Sequence, residues 1–334
     1  MKIAFFSAKA FERQAFEAAN QPAGHDLVWF EERLHGGTAP LAAGAHAVCV
    51  FVNDRVDADT ITRLAGTGVR LILCRSAGYN HVDVAAAKDA GISVMRVPAY
   101  SPESVAEHAV GMVLSLVRNL HHQYNRVRVG NFSMDNIAGW TLRGKTAGIV
   151  GTGHIGLAMA RILHGFGCTL LGADPWPNPA CEALGMQYVP REALFAQSDI
   201  VMLAAPLTDD TRHMVNSESL RGFKHGSVLV NVSRGALIDT AAVIPALKSL
   251  ETVHYLGIDV YEEEQGLFFE DWTARIVEDD QLQLLTTFKN CLITPHSAWL
   301  TAEALREIAA TTLYNATGFA RGRPDLSNQV SLPA

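Results

Sequence analysis

Short apolar runs rich in Val, Ile, Leu and Ala recur along the chain, and between them apolar residues return every three or four positions. Runs of this length suit strands buried on both faces, and the intervening period suits amphipathic helices. Strands alternating with helices from end to end predict an α/β protein with parallel sheets built from βαβ units. A first series of strands is expected at Ile3–Phe6, Leu27–Phe30, Ala47–Phe51, Leu71–Cys74 and Ser93–Val97, which would make a small flavodoxin-like sheet. A second series begins at Ala147–Val150 and continues with Thr169–Ala173, Ile200–Ala204, Ser227–Val232, Tyr255–Val260 and Cys291–Ile293, a six-stranded Rossmann sheet.

Ser101-Pro102-Glu103 reads as a helix start, with Ser as cap and Pro at the first helical position. The helix after it carries an apolar stripe of Val105, Ala109, Met112, Val113, Leu116, Val117 and Leu120, and its length suits a connector between domains. A later helix capped by Thr301 carries Leu305, Ile308, Ala309, Thr312 and Leu313 and would return the chain to the first domain. A length of 334 residues exceeds one typical domain. The expected division is residues 1–101 plus 300–334 as a discontinuous substrate domain, with residues 102–299 inserted as a nucleotide-binding domain and the active site in the crevice between them.

Charge removes some classes of function. Lys and Arg number 27 against 34 Asp and Glu, for a net charge of −7, and the basic residues are scattered, so nucleic acid is not an expected partner. No apolar stretch reaches the length of a membrane span, and the N-terminal run is the first core strand. Cys49, Cys74, Cys168, Cys181 and Cys291 are odd in number, far apart and without His at ligand spacing, which fits small buried hydrophobes in a reducing cytoplasm and no metal. His121-His122 is no metal doublet, since adjacent helical residues point to different faces.

Candidate chemistry begins at Gly148-Ile149-Val150-Gly151-Thr152-Gly153-His154-Ile155-Gly156, where a strand runs through three glycines into a helix. Gly151 allows a tight turn, Gly153 the close approach of a pyrophosphate, and Gly156 the packing of helix on strand. The next strand ends in Asp174, placed to accept from the adenosine ribose hydroxyls, and Pro175-Trp176-Pro177 offers no cation for a 2′-phosphate. The cofactor is therefore expected to be NAD. Hydride transfer to a 2-oxo acid further needs a cation for the carboxylate and carbonyl, a proton donor, and a group tuning that donor. Three strand ends supply candidates: Ser233-Arg234-Gly235 with a guanidinium fork, Asp259 to Glu264 with carboxylates, and Thr294-Pro295-His296 with an imidazole.

In this order and spacing, the glycine turn and these three segments resemble the D-isomer-specific 2-hydroxyacid dehydrogenase family over nearly the whole chain. The resemblance implies that His296 is the general acid and base, Glu264 its partner, and Arg234 the substrate-binding cation. It further implies that His154, Ile155, Pro206, Thr211, Val232 and Ser233 line the cofactor, with Asp259 beside the nicotinamide carboxamide or supporting the site. Arg75-Ser76-Ala77-Gly78-Tyr79-Asn80-His81-Val82-Asp83, Val97 to Pro102, and Glu263 to Trp272 narrow the likeness to the fermentative NAD-dependent D-lactate dehydrogenases. By that likeness, amides of Ser76, Ala77 and Gly78 form a nest for the substrate carboxylate, Tyr100 closes over it, and Phe51 and Trp299 wall the pocket. Phe268, Phe269 and Trp272 would anchor the segment after Glu264 or cover the crevice's rim.

Two departures bear on the substrate. Ala204 stands where the lactate dehydrogenases carry His, and Ser297-Ala298-Trp299 stands where they usually read Gln-Ala-Phe. The reaction type is thus expected more firmly than pyruvate, with phenylpyruvate, glyoxylate or hydroxypyruvate as the alternatives. Glu264, where formate dehydrogenases of this superfamily have Gln, speaks against that activity. A rival of another class is an NAD-sensing binding protein or corepressor on the same fold. The resemblance also implies a homodimer or homotetramer, with the segment Tyr124 to Trp140 as the expected subunit contact.

Overall fold

The computed structural model describes residues 1–331, so the last residues of the span expected for the first domain, 332–334, lie outside the described residues. The chain divides into two compact units, one of Met1–Ser101 with the described residues from Leu300 onward and one of Pro102–Trp299.

The first unit is built on β1 (Lys2–Phe5), β2 (Asp26–Trp29), β3 (Ala47–Val50), β4 (Leu71–Cys74) and β5 (Ser93–Arg96), in the spatial order β2-β1-β3-β4-β5 and parallel throughout. Every residue of β3 and β4 is buried, because helices cover both faces of a parallel sheet. The helix Ala302–Ala320 packs on the helix Ala10–Asn20 and on β4, and Thr301 caps it by accepting from the Ala304 amide at 3.2 Å. It thus belongs to this unit despite its distance in sequence.

In a sheet of this order the strands reverse direction of addition between β1 and β3, where doubly wound folds leave a crevice for ligands. Here the chain's own charges close that point. The buried Arg75 guanidinium meets both carboxylate oxygens of Glu12, at 2.9 and 3.0 Å, and donates to the carbonyls of Phe6, Ser7 and Cys49. Asp54, also buried, accepts from the Ser7 hydroxyl and from the amides of Leu34 and Phe51. With most of their polar atoms paired, these charges hold the loops without the penalty of an uncompensated buried ion.

The second unit holds β6 (Thr146–Val150), β7 (Thr169–Ala173), β8 (Gln187–Tyr188), β9 (Ile200–Leu203), β10 (Ser227–Asn231), β11 (Val253–Ile258) and β12 (Cys291–Ile293), in the order β12-β11-β10-β9-β6-β7-β8 and all parallel. This is a Rossmann sheet of seven strands where the sequence pattern predicts six. The added strand, β8, is a two-residue edge with no apolar run, and only its pairing with β7 makes it a strand. The helix Pro102–Val117 also departs from expectation. It ends before Leu120, which is 49% exposed on the next helix, Leu120–Arg128. Asn119, at φ +53°, turns the chain between the two, as Asn tolerates the left-handed region. The helix, which begins where the second unit begins, is also a core element of that unit, packed on the helix His154–Gly165 and on β10 and β11.

One buried group gives this fold a pH dependence. His81 Nε2 in the first unit is buried with no hydrogen-bond partner among the described residues, and burial, with the Arg75 charge adding to it, holds its imidazole down at about 4. The folded state therefore favours neutral His81. Its contribution is fully present above the ordinary histidine value of 6.5 and is lost as pH falls from there toward 4, by an amount on the order of 3 kcal/mol. Replacing His81 with Gln should flatten the dependence of Tm on pH across that window in thermal melts. Parallel Tm curves for variant and wild type would refute it.

Candidate active site

The glycine turn leaves β6 beside β9, at the point where the strand order of the second sheet reverses. Gly151 has φ +90°, and a Cβ there would lie 2.6 Å from the Ala205 nitrogen. A Cβ on Gly156 would overlap the Gly151 carbonyl oxygen, so helix and turn pack only because neither residue has a side chain. At Gly153 the space is open, with nothing within 4 Å of a built Cβ. The exposed His154 and half-buried Ile155 begin the helix there, and neither amide donates to a described residue.

Asp174, at the end of β7, accepts from the Thr152 amide at 2.7 Å and from the Trp176 amide at 2.9 Å. Thr152 is held in turn by the Tyr188 hydroxyl at 2.9 Å, which gives the short β8 a purpose. A carboxylate fixed this way retains lone pairs for ribose hydroxyls. Open space at Gly153, free amides and a fixed acid are what a dinucleotide needs from this chain. Pro206 and Thr211 lie in the loop after β9, where the Thr211 hydroxyl donates to the Pro206 carbonyl at 2.7 Å. Val232 and Ser233 follow β10, and the Ser233 hydroxyl donates to the Ala205 carbonyl.

Arg234 is exposed, and among the described residues its guanidinium has one hydrogen bond, to the Ser233 carbonyl at 2.7 Å, and no acidic partner. Its loop is shaped from below by the buried Asn231, which accepts from the Ser233 amide and donates to the Arg234 carbonyl. Gly235 lets this loop lie directly on the next, since a Cβ there would overlap the Tyr261 carbonyl and the Glu262 nitrogen.

The three adjacent glutamates separate by contact. Glu262 is bound by His213 and by Thr240, and Glu263 is exposed. Glu264 Oε1 meets His296 Nδ1 at 3.0 Å while its Oε2 accepts from the Tyr261 amide at 3.0 Å. A carboxylate on Nδ1 fixes the ring and leaves Nε2 as the outward nitrogen. His296 itself lies at φ +54°. Asp259, 1% exposed, holds that conformation by accepting from the Thr294 hydroxyl and the amides of Ser297 and Ala298, while its carbonyl accepts from the His296 amide at 2.7 Å. His108, from the helix Pro102–Val117, bonds the same Thr294 hydroxyl at 3.0 Å. Trp299 Nε1 donates to the His296 carbonyl at 3.0 Å.

In the first unit, no hydrogen bond is made by the Ser76, Ala77 or Gly78 amides to any described residue, while the Ala77 carbonyl is held by Arg96 and the Ser76 hydroxyl donates to the Gly78 carbonyl. Tyr100 is half-buried, and Phe51 is 3% exposed with its ring 5.1 Å from the Arg75 guanidinium. Sequence reasoning missed Asn231, Thr294 and the Tyr261–Asp279 pair as supports, since nothing in their residue type or spacing distinguishes them before the loops are folded.

A Rossmann sheet whose glycine turn opens at the strand reversal, with an acid–imidazole pair and a guanidinium that has no acidic partner among the described residues at neighbouring strand ends, defines an NAD-dependent oxidoreductase. The chain belongs to the D-isomer specific 2-hydroxyacid dehydrogenases, whose NAD binding domain matches residues 110–298. It is 46% identical to the D-lactate dehydrogenase of Escherichia coli (strain K12) over 322 residues, 96% of this chain and 98% of that one. It is 47% identical to D-lactate dehydrogenase kk1H of Curvularia clavata over 328 residues, 97% and 94% of the two chains. Among solved structures, the apo D-lactate dehydrogenase from Escherichia coli aligns with a TM-score of 0.92 at 43% identity, covering 99% of this chain and 100% of that one. The pyruvate reductase of Chlamydomonas reinhardtii aligns with a TM-score of 0.93 at 44% identity, covering 97% of both.

The contact between the Gly235 loop and the Tyr261–Glu262 peptide sets where Arg234 stands. Gly235→Ala should lower stability by about 1–3 kcal/mol through overpacking. An unchanged denaturation midpoint in urea would show that the loop can move aside.

Proposed function

We propose that this protein is a D-lactate dehydrogenase that reduces pyruvate to D-lactate with NADH. The observation that carries the reading is the 3.0 Å contact between His296 Nδ1 and Glu264 Oε1, two strand ends from a guanidinium that no described acid pairs. Names of relatives over nearly the full chain support the substrate.

Bound NADH supplies the hydride that reaches the carbonyl carbon of pyruvate. Gly151, Gly153, His154, Ile155, Gly156 and Asp174, with Pro206, Thr211, Val232 and Ser233, are proposed to hold that cofactor, and Asp259 to act by holding the His296 loop. Arg234 binds the substrate carboxylate and polarises its carbonyl through the two donors of its fork. As negative charge grows on the carbonyl oxygen, His296 donates the proton from Nε2, and Glu264 stabilises the ring while it is protonated. His296 then recovers a proton from solvent. The Ser76, Ala77 and Gly78 amides, which donate to no described residue, are proposed as a second binding element for a carboxylate. Phe51, Tyr100 and Trp299 are proposed to contact the substrate.

No described helix is long and apolar enough to cross a membrane. The five cysteines are free and buried, and burial pushes the Cys49 and Cys291 thiols up to about 12, which keeps them protonated and unreactive; a cytoplasmic location is proposed from the family resemblance.

His296→Gln should reduce NADH oxidation with pyruvate by at least about a hundredfold while NADH still binds. Turnover at the wild-type rate would overturn the acid assignment. A wild-type rate with phenylpyruvate, glyoxylate or hydroxypyruvate well above that with pyruvate would keep the mechanism and move the substrate.

The segment expected as a subunit contact exposes Tyr124 at 63%, Val129 at 82%, Phe132 at 75% and Met134 at 84%. Apolar exposure on this scale supports burial against a second copy of the chain. Light scattering should give a dimer or tetramer that Phe132→Glu weakens, and a monomeric wild type would overturn it.

A further inference from the structure

Between Glu264 and the helix Asp280–Thr287 the chain forms no helix or strand, yet it is tied at both ends. Tyr261 donates its hydroxyl to both oxygens of Asp279, at 2.9 and 2.8 Å, and Asp279 in turn caps the helix by accepting from the Leu282 amide. Burial and the facing carboxylate push the Tyr261 phenol well above its usual range, so it stays a donor. The bond closes a loop that carries Glu264 near its start. Within it, the Leu267 and Phe268 amides donate to the Glu264 carbonyl, and Trp272 Nε1 donates to the Leu267 carbonyl at 2.9 Å beneath the Arg275 guanidinium.

The two phenylalanines of this loop part company. Phe268 is buried and lies near-parallel to the Tyr261 ring, as an anchor would. Phe269 is at φ +67°, a left-handed conformation unfavourable for a bulky side chain, and its ring centroid lies 5.5 Å from that of His296. A strained backbone that persists in a loop fixed at its base points to a required side-chain direction.

We propose that Phe269 is a positioning residue for His296, an inference that rests on His296 being the acid. Clamped by the Tyr261–Asp279 closure, its ring packs on the imidazole and keeps Nδ1 on Glu264 and Nε2 outward. It also shields the His296–Glu264 hydrogen bond from water, which would otherwise compete for the carboxylate. The flat face matters, because an aliphatic side chain of similar bulk fills the space without fixing the ring's plane.

The test measures kcat and KM for pyruvate, the Kd of NADH and Tm for full-length Phe269→Ala, Phe269→Leu and Phe269→Tyr, with His296→Gln alongside. Phe269→Ala and Phe269→Leu should lose between about tenfold and about a hundredfold in kcat with NADH Kd unchanged, the scale of a misplaced catalytic group. Phe269→Tyr, which keeps the face, should recover most of it. A Phe269→Leu enzyme with wild-type kcat, beside an inactive His296→Gln, would overturn the positioning role and leave the acid assignment intact. An active His296→Gln would overturn the acid assignment instead. Should Phe269→Ala fail to fold, the Leu and Tyr variants decide by the same comparison.

Discussion

The Asp259 carboxylate is taken out of water at the end of β11, and the loop after β12 is built around it. An unpaired buried carboxylate would be prohibitive, so the chain satisfies it with the Thr294 hydroxyl and the amides of Ser297 and Ala298. Those donors belong to residues on both sides of His296, so meeting the needs of one acid also fixes the imidazole, even at a positive φ. From there the order propagates. Glu264 meets Nδ1, the Tyr261 amide meets Glu264, and the Gly235 contact places the Arg234 loop against Tyr261.

The same logic explains the difference between the two sheets at their strand reversals. In the first unit the reversal is closed by Arg75 with Glu12 and by Asp54 with Ser7, buried charges whose partners all come from the chain. At the reversal of the second sheet the chain withholds side chains. Gly153 leaves open space, and the amides of the following helix have no capping side chain. One reversal is braced by side chains, and the other is left open.

Much of this was legible before folding. Central parallel strands are buried on both faces, so Ile200–Ala204 and Ala47–Phe51 read as unbroken apolar runs, of which the structure keeps Ile200–Leu203 and Ala47–Val50 as β9 and β3. Gly151 and Gly156 could be assigned separate tasks from their spacing, since a Cβ at either would overlap neighbouring backbone. Less legible were elements whose existence depends on a neighbour. β8 pairs without an apolar signature, and the stripe through Leu120 breaks because Asn119 takes a left-handed turn that propensity does not demand.

By itself the sequence determined the alternation of strand and helix, the glycine turn, and the kinds of charged group at each strand end. Those follow from local sterics and from hydrophobic period, which act over a few residues. Residue type alone did not choose among the three neighbouring glutamates, where the family resemblance named Glu264; tertiary structure decided what contacts each makes, why Asp259 faces inward, and which of two adjacent phenylalanines reaches His296. Those choices depend on hydrogen bonds and ring contacts between residues up to 49 positions apart in the chain. Adjacent residues of the same type differ only in the direction they point, and packing sets that direction.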